Sequence, residues 1–323
     1  MKILITGCAG FIGFHVASQL CKKNKYKIFG IDNMNSYYDL KLKKDRIKIL
    51  LNKKNFQFEK IDITNIKFLE RVFKKKFDVV IHLAAQAGVR YSIDYPEEYL
   101  SSNIVGHYNL IESCRKNLIK HFIYASSSSV YGMSKEKFLR ENNNTDYPVS
   151  FYAASKKTNE IISESFCKTY KIPSTAIRFF TVYGPYGRPD MAPHLFTKAI
   201  IAKEKIKLFN YGNQFRDFTY IDDVTTFIEK LINKVPKKPQ YHRVINFGKG
   251  KADKITDFIK VIENRLNTKA VLEKVGMQKG DVKYTCADIK LMKKVSNFVP
   301  KISLEEGLNK FIDWYLEYYK IKK

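Results

Sequence analysis

Acidic residues and cysteines are scarce in this sequence, and each scarcity excludes a class of protein. There are 32 Asp and Glu residues against 58 Lys and Arg residues, so the formal net charge is +26. The cysteines are odd in number, scattered and without a C-x-x-C pair, which argues against a disulfide framework. They are Cys8, Cys21, Cys114, Cys167 and Cys286.

Long apolar runs and metal-binding motifs are also missing. No window approaches eighteen uninterrupted apolar residues, so we expect no membrane-spanning segment. The N-terminal MKILITG has too short an apolar run for a signal peptide and leads straight into a glycine turn, so we expect a cytoplasmic location. The six histidines form no H-E-x-x-H or similar group, and we expect no metal site.

The positive charge has two interpretations. It could indicate a nucleic-acid-binding protein. However, the lysines are spread along the whole chain, in short runs such as KLKKDRIK and FKKKF at expected helix positions, and there is no RNP, KH or zinc-finger pattern. We favour solvated helix faces and expect no nucleic-acid partner, although a basic surface would attract an anionic small substrate.

Short apolar runs alternate with longer amphipathic stretches in the first half of the chain. The predicted strands are 2–6, 27–31, 56–62, 79–85, 121–126 and 174–180, and the predicted helices lie near 11–22, 65–75, 97–117 and 150–170. This alternation predicts an α/β fold with a Rossmann-like, doubly wound parallel sheet.

The pattern loosens after residue 180. The stretches YGPYGRP, FNYGN and NFGKGK are rich in turn residues, and the tail IDWYLEYYK looks helical. We expect residues 1–180 to form the nucleotide-binding domain and residues 181–323 to form a smaller C-terminal substrate-binding region, partly interleaved with the first.

A glycine turn follows the first predicted strand. In TGCAGFIG, Gly7 allows a tight turn, Gly10 lets a pyrophosphate approach the backbone, and Gly13 lets the next helix pack closely on the strand. The start of that helix offers free N–H groups to the phosphates. Because Asp32 ends the next strand, the context is that of a dinucleotide site rather than of a structural turn.

Two acidic residues refine the choice of dinucleotide. Asp32 would accept hydrogen bonds from the ribose hydroxyls and repel a 2′-phosphate, which favours NAD over NADP. Lys41, Lys43 and Lys44 follow closely and weaken that preference. Asp62, after the third strand, is either a partner for the adenine or a helix cap before Thr64.

Tyr152 and Lys156 stand four residues apart, on one face of a predicted helix. A tyrosine is a base near pH 7 only if its pKa is lowered, and a neighbouring ammonium group would lower it. The predicted strand ending in SSSSVYG brings Ser127 to the carboxyl edge of the sheet, where ligands bind in such folds. Y-x-x-x-K alone is common in a Lys-rich chain, but together with the serines and the glycine turn it indicates hydride exchange at a carbinol.

At this point the sequence resembles a known family. TGCAGFIG, Asp32, HLAAQAGVR, YASSSSVYG, FYAASKK, RFFTVYGPYGRPDMA, RDFTYIDD and KGDVKYTCADI together are similar to the extended short-chain dehydrogenase/reductase superfamily. Within it they resemble most closely the UDP-glucuronate 4-epimerases of the nucleotide-sugar epimerase group. The resemblance covers nearly the whole chain, in the order of the family's motifs.

The resemblance implies a role for particular residues. Tyr152 would be the acid/base, Lys156 its pKa-lowering partner, and Ser127 the third catalytic residue. The NAD site would be lined by Gly7, Gly10, Phe11, Ile12, Gly13, Asp32, Asn33, Asp62, Ile63, Leu83, Ala84, Ala85, Asn103, Tyr152 and Lys156. The UDP-sugar site would include Ser128, Ser129, Thr181, Arg188, Arg216 and Asp281. Arg188 could instead belong to a surface ion pair.

The resemblance also implies a reaction and leaves alternatives. UDP-glucuronate and UDP-galacturonate would be interconverted by transient oxidation at C4, with NAD kept in the site, in a homodimer formed through the helices near 97–117 and 150–170. The alternatives are a UDP-glucose or UDP-N-acetylhexosamine 4-epimerase, a UDP-glucuronate decarboxylase, or an idle NAD-binding or nucleic-acid-binding protein. Related decarboxylases and dehydratases carry an acid where this chain has Ser128 and Ser129. Cys8, Tyr186 and Pro193–His194 depart from the family's usual residues.

Overall fold

The computed structural model describes residues 1–277 and 282–321. Its strands are β1 (Lys2–Thr6), β2 (Lys27–Asp32), β3 (Phe56–Lys60), β4 (Val79–His82), β5 (His121–Ser127), β6 (Ser174–Phe179), β7 (Thr181–Tyr183), β8 (Lys205–Leu208), β9 (Phe215–Arg216), β10 (Phe218–Tyr220), β11 (His242–Phe247), β12 (Asp253–Lys254) and β13 (Val271–Lys274). Within the described residues, seven of them form one sheet in the order β11-β6-β5-β4-β1-β2-β3. Every neighbouring pair in this sheet is parallel.

Helices cover both faces of this sheet. They are α1 (Phe11–Cys21), α2 (Leu40–Leu51), α3 (Ile66–Phe73), α4 (Tyr91–Asp94), α5 (Pro96–Tyr99), α6 (Gly106–Lys116), α7 (Phe151–Tyr170), α8 (Ala192–Ala202), α9 (Ile221–Leu231), α10 (Ile255–Leu266), α11 (Lys290–Ser296) and α12 (Leu304–Tyr318). Ile3 and Ile5 belong to the core on one face, whereas Leu4 belongs to the core on the other. Successive strand residues point to opposite faces, so the sheet is buried on both sides. The predicted Rossmann-like, doubly wound fold is confirmed.

Two predicted elements differ from the structure. The strand predicted over 79–85 ends at His82, after which Leu83 donates a backbone hydrogen bond to Thr6 and the chain leaves the sheet. The helix predicted over 97–117 is interrupted, because a π-helical segment, Leu100–Val105, separates α5 from α6. Such π-helical turns often occur at functional sites.

The C-terminal half contributes to the central sheet as well as packing beside it. Strand β11 pairs with β6 in parallel register, from His242 opposite Ser174 to Phe247 opposite Phe179. The remaining strands form two-stranded pairs, β7 with β10, β9 with β12 and β8 with β13. The tail predicted to be helical forms α12, whose Leu308, Phe311 and Ile312 are fully buried.

The cysteines form no disulfide bridge, and all five lie within the described residues. All five thiols are buried and free. Over residues 1–277 and 282–321, none of the helices combines the length and the apolar character that crossing a lipid bilayer requires.

Candidate active site

A cavity opens at the carboxyl edge of the central sheet, where ligands bind in open α/β folds. It runs from the glycine turn after β1 to the serine segment after β5 and reaches the segment after β7. Most of the residues predicted to bind a ligand line it. These are Gly7, Gly10, Phe11, Ile12, Gly13, Asp32, Asn33, Asp62, Ile63, Leu83, Ala84, Ala85, Ser127, Ser128, Ser129, Tyr152, Lys156, Thr181 and Arg188.

The glycine turn has a shape that only glycine allows. Gly7 has φ of +72°, and a Cβ there would lie 2.6 Å from the backbone nitrogen of Ala84. A Cβ at Gly13 would overlap the carbonyl oxygen of Gly7. Helix α1 therefore starts directly against β1. Its first turn has neither a side-chain cap nor an acidic residue, so its free N–H groups and positive dipole end fit a pyrophosphate.

Asp32 and Asp62 lie at one end of the cavity. The Asp32 carboxylate accepts hydrogen bonds from the backbone N–H groups of Ala9, at 3.1 Å, and Met34, at 2.8 Å. Each oxygen keeps a lone pair that could accept a ribose hydroxyl. Burial opposes ionisation of Asp62, but hydrogen bonds from Asn33 and Thr64 hold its pKa below the ordinary value. The cap of α3 is Asn65 rather than Asp62.

Tyr152 and Lys156 share a face of α7 as predicted. The helix begins at Phe151 because the Ser150 hydroxyl accepts the N–H of Ala153 at 3.1 Å. The Tyr152 ring stands edge-on to Tyr99, with centroids 6.0 Å apart. The Lys156 ammonium group donates to the carbonyl of Ala125 in β5 at 3.1 Å, and both residues line the cavity.

The expected lowering of the tyrosine pKa by Lys156 is not found in this structure. Burial raises the pKa of Tyr152 above its ordinary value, while a hydrogen bond with Ser127 and the charge of Arg188 act in the opposite direction. Burial also lowers the pKa of Lys156 to about 8, so the ammonium form still predominates at pH 7. The protein alone therefore keeps the phenol protonated, and Arg188 is the cation that favours the phenolate.

The serine segment begins where β5 ends. The Ser127 hydroxyl accepts the N–H of Ser129 at 3.1 Å and donates to its hydroxyl at 3.1 Å, and this bonding caps the 3₁₀ turn Ser128–Tyr131. Among the cavity-lining residues that the structure describes, the carboxylates are Asp32 and Asp62. Three strand spacings, roughly 14 Å, separate the ends of β5 and β2. No carboxylate of residues 1–277 or 282–321 therefore lines the cavity beside Tyr152.

Arg188 faces the cavity from the segment after β7 and belongs to an ion pair. Its guanidinium donates to Asp190 through Nε at 3.0 Å and Nη2 at 2.5 Å. Tyr37 donates to the same carboxylate at 3.1 Å, and the guanidinium carbon lies 5.8 Å from the Tyr37 ring centroid. Burial alone would lower the pKa of Arg188, but its contacts with Asp190 raise it. Arg188 lines the cavity while it is paired with Asp190, so a role in binding the UDP-sugar is compatible with membership of an ion pair.

A buried network supports the serine segment from behind. Arg178 of β6 forms a bidentate pair with Glu160 of α7, at 2.8 and 2.7 Å, and the two side chains are 4% and 6% exposed. Ser126 donates to Glu160 at 2.5 Å. Arg178 also donates to the Tyr131 hydroxyl at 2.9 Å. The network therefore fixes both ends of the turn that contains Ser127 to Ser129.

We expect Arg178→Met to lower the free energy of unfolding by about 3–5 kcal/mol, because it leaves the Glu160 carboxylate buried without its partner. Urea denaturation of the purified variant measures this loss. Arg71→Met is the matched control, because Arg71 pairs with Glu59 on the surface, where it is 62% exposed, and should cost less than about 1 kcal/mol. Equal losses for the two variants would contradict the assignment.

Among the described residues, two that were predicted to bind a ligand, Asn103 and Arg216, are not part of this cavity wall. Asn103 lies behind it in the π-helical segment, where it accepts from the backbone N–H of Gln86 at 2.8 Å and donates to its carbonyl at 3.0 Å. It thus positions Gln86 instead of lining the site. Arg216 lies in β9, outside the lining, and donates to the carbonyl of Phe215. Asp281 falls outside the described residues.

The structure adds lining residues that the sequence analysis did not single out for binding. Tyr37, Tyr38 and Lys43 follow β2, and Gln86 follows β4. Lys43 is 5% exposed and donates to the backbone and side-chain oxygens of Asn35, at 2.9 and 2.6 Å. The adjacent tyrosines in NSYYD, which begins three residues after the acid that ends β2, were the available signal.

Comparison with known proteins agrees with this geometry. A sequence model of the NAD dependent epimerase/dehydratase family matches residues 3–248, which is more than half of the chain. The chain belongs to this family. Sequences and structures of individual relatives extend the match beyond residue 248.

Full-length relatives in the family share much of this sequence. Protein CapI of Staphylococcus aureus is 44% identical, over 99% of this chain and 100% of the relative. A UDP-glucuronate 4-epimerase of Thermodesulfobacterium geofontis is 41% identical, over 99% of this chain and 98% of the relative. The crystal structure of a Bacillus cereus UDP-glucuronic acid 4-epimerase, in complex with UDP-glucuronic acid and NAD, is 35% identical with a TM-score of 0.92, over 99% of this chain and 100% of that one.

Proposed function

We propose that this protein is an NAD-dependent epimerase that interconverts UDP-glucuronate and UDP-galacturonate by inverting C4 of the sugar. The observation that carries the proposal is the end of the cavity beside Tyr152, where the described part of the chain presents hydroxyl groups and one arginine and no carboxylate. This set of groups suits an anionic sugar. Full-length similarity to UDP-glucuronate 4-epimerases supports the same reaction.

The residues present fit NAD. The glycine turn and the start of α1 would hold the pyrophosphate, and Asp32 would bind the adenosine ribose. Asp62 and Ile63 would contact the adenine, and Leu83, Ala84 and Ala85 would lie under the middle of the dinucleotide. When bound, NAD supplies a hydride acceptor and donor, and its positively charged ring favours an ionised phenol nearby. On this proposal residues 1–180 bind the dinucleotide, while residues 181–323 mainly bind the sugar nucleotide.

Tyr152 would move the proton of the sugar 4-hydroxyl. As a phenolate it accepts that proton while the C4–H bond breaks, and as a phenol it returns the proton when the bond re-forms on the other face. Ser127 would hydrogen-bond the same sugar oxygen. Lys156 would add positive charge to the cavity wall, because a hydrogen bond to the carbonyl of Ala125 fixes its ammonium group there. Since the redox change cancels, no second substrate is required.

The uronate carboxylate needs separate control. The 4-keto form of a uronic acid is a β-keto acid. It loses carbon dioxide when the C–C bond between the ring and the carboxylate aligns with the π-system of the ketone. We propose that Ser128, Ser129 and Thr181 hold the carboxylate out of that alignment, and that Arg188 balances its charge. Arg216 and Asp281 remain proposed ligands of the UDP moiety.

Incubation of the purified protein with UDP-glucuronate, followed by proton NMR, tests the reaction. The expected result is a stable mixture of UDP-glucuronate and UDP-galacturonate with no carbon dioxide released. Release of carbon dioxide with a UDP-pentose product would instead show a decarboxylase. No conversion, in a sample that contains NAD, would contradict the proposal.

We also propose a homodimer formed through α6 and α7. The helices pack together through His107 and Ser163, which are 2.9 Å apart, and through Tyr108 against Phe166. Their outer side carries Tyr108 and Ile161, which are 47% and 58% exposed. Exposed apolar side chains on two adjoining helices are typical of a surface that a second copy covers.

Ile161→Glu is expected to convert the dimer to a monomer, because it would bury a charge without a partner in the apolar interface. Light scattering after size-exclusion chromatography measures the mass. Leu118→Glu is the matched control, since Leu118 is 88% exposed but lies in the turn after α6. A wild-type monomer, or dissociation by both variants alike, would count against this interface.

A further inference from the structure

Arg46 is a buried cation that the proposed reaction does not use. It lies in α2 with 0% exposure, and no carboxylate of residues 1–277 or 282–321 pairs with it. Its Nε atom has no hydrogen-bond partner among the described residues. An unpaired buried charge is costly, so its remaining hydrogen bonds must compensate for much of that cost.

The two terminal nitrogens of Arg46 bind three loops around the cavity. Nη1 donates to the carbonyl of Ala9 at 2.7 Å and to the Tyr38 hydroxyl at 2.6 Å. Nη2 donates to the carbonyls of Tyr186 at 2.6 Å and Gly187 at 3.4 Å. One planar fork therefore joins the glycine turn, the segment after β2 and the turn before Arg188.

At the dinucleotide end, Arg46 completes the support of the glycine turn. The N–H of Ala9 donates to Asp32, and its carbonyl accepts from Arg46, so the residue is held on both sides. The next N–H, that of Gly10, donates to the carbonyl of Gly7 at 2.9 Å. These bonds set the orientation of the backbone that leads into α1.

At the sugar end, Arg46 reaches Arg188 by two routes. It holds Tyr186, whose φ is +53°, and Gly187, which directly precedes Arg188. It also holds Tyr38, whose neighbour Tyr37 donates to Asp190, the partner of Arg188. A movement of the glycine turn that displaced Arg46 would therefore displace both supports of Arg188.

We propose that Arg46 is a positioning residue that couples the dinucleotide turn to Arg188, so that NAD and the UDP-sugar each strengthen the binding of the other. This inference rests on the proposed function, because it assigns the sugar carboxylate to the region of Arg188. Such coupling is reciprocal for binding free energies. A lysine could not replace Arg46, because a single ammonium group cannot present the planar fork that meets both turns.

The coupling is measured as the affinity for NAD with and without UDP-glucuronate. We would use Tyr152→Phe as the parent, which removes the proposed acid/base so that the sugar is not turned over, and add Arg46→Met or Arg46→Lys. UDP-glucuronate should tighten NAD binding roughly tenfold in the parent, a typical coupling, and by less than about twofold in both double variants. Calorimetric titration of the apoprotein gives these affinities.

Leu50→Ala in the same parent separates coupling from stability. Leu50 is fully buried one turn further along α2 and touches none of the three loops through a hydrogen bond, so its loss should lower Tm and keep the tenfold effect. If Arg46→Met does not fold, Arg46→Lys retains the charge and provides the comparison.

Three results would overturn the inference. Full coupling in the Lys variant would show that charge alone suffices, and full coupling in the Met variant would remove any role for Arg46. Loss of coupling in Leu50→Ala as well would show a general effect of stability. A parent that binds NAD but not UDP-glucuronate would instead contradict the proposed function, and this inference with it.

Discussion

Tyr152→Phe is expected to slow the interconversion of the two UDP-sugars about 10³-fold, the size of effect typical of a lost general acid/base. The substitution removes the phenolic oxygen, and no other cavity-lining residue of the described chain carries a phenol on the same face of α7 beside Lys156. Proton NMR of the reaction at saturating substrate measures kcat.

Tyr147→Phe is the control for this substitution. Tyr147 precedes α7 and is 80% exposed, so kcat should be unchanged. Both variants should retain the wild-type Tm and bound NAD, because Tyr152 contacts the cavity rather than the core. Full activity of Tyr152→Phe would contradict the assignment of the acid/base.

Acidification from pH 8 to pH 5 is expected to lower the free energy of unfolding by about 7 kcal/mol. Burial lowers the pKa of His107 and His121 to about 3 and that of His15 and His194 to about 4, below the ordinary 6.5. Between pH 6.5 and 4, these histidines are therefore protonated in the unfolded chain and neutral in the folded chain. The contribution of each neutral histidine to the free energy of unfolding is fully present above pH 6.5. By pH 5 each contribution has fallen by about 2 kcal/mol.

Buried carboxylates with a raised pKa act in the opposite direction, and Asp217 is the one with the largest shift. Burial raises the pKa of Asp217 to about 6, so its protonation below pH 6 favours the folded state. At pH 5 this protonation adds about 1 kcal/mol to the free energy of unfolding. Urea denaturation at pH 8, 6.5 and 5 measures the net change. His121→Gln, which cannot titrate, should reduce the loss by about 2 kcal/mol. A free energy of unfolding that is constant over this range would contradict the burial of these histidines.

The sequence predicted the elements whose local pattern agrees with their packing. Strand β1 and the helix after it were predictable because apolar spacing, Gly7 and Gly13 all indicate one close strand–helix contact. Helix α7 was predictable from its N-terminal Ser150 and its long amphipathic pattern. The resulting cavity wall follows from topology, since parallel strands end at the same edge.

The features that could not be predicted depend on long-range contacts between polar groups. The π-helical segment at Leu100–Val105 turns Asn103 toward Gln86, and no local pattern records that pairing. In α2, the inward residues include Lys43 and Arg46, although lysine and arginine usually face solvent. They are buried because oxygen atoms of neighbouring loops accept their hydrogen bonds. The raised pKa of Tyr152 depends on burial, which residue spacing does not give.

The fate of the hydrogen on C4 tests the central claim most directly. UDP-glucuronate carrying deuterium at C4 would be incubated in ordinary water with the purified protein and its bound NAD, and the product analysed by NMR. The account predicts UDP-galacturonate that retains deuterium at C4, because Tyr152 exchanges only the hydroxyl proton and the carbon-bound hydrogen returns to the same sugar. Protium at C4 of the product would contradict it.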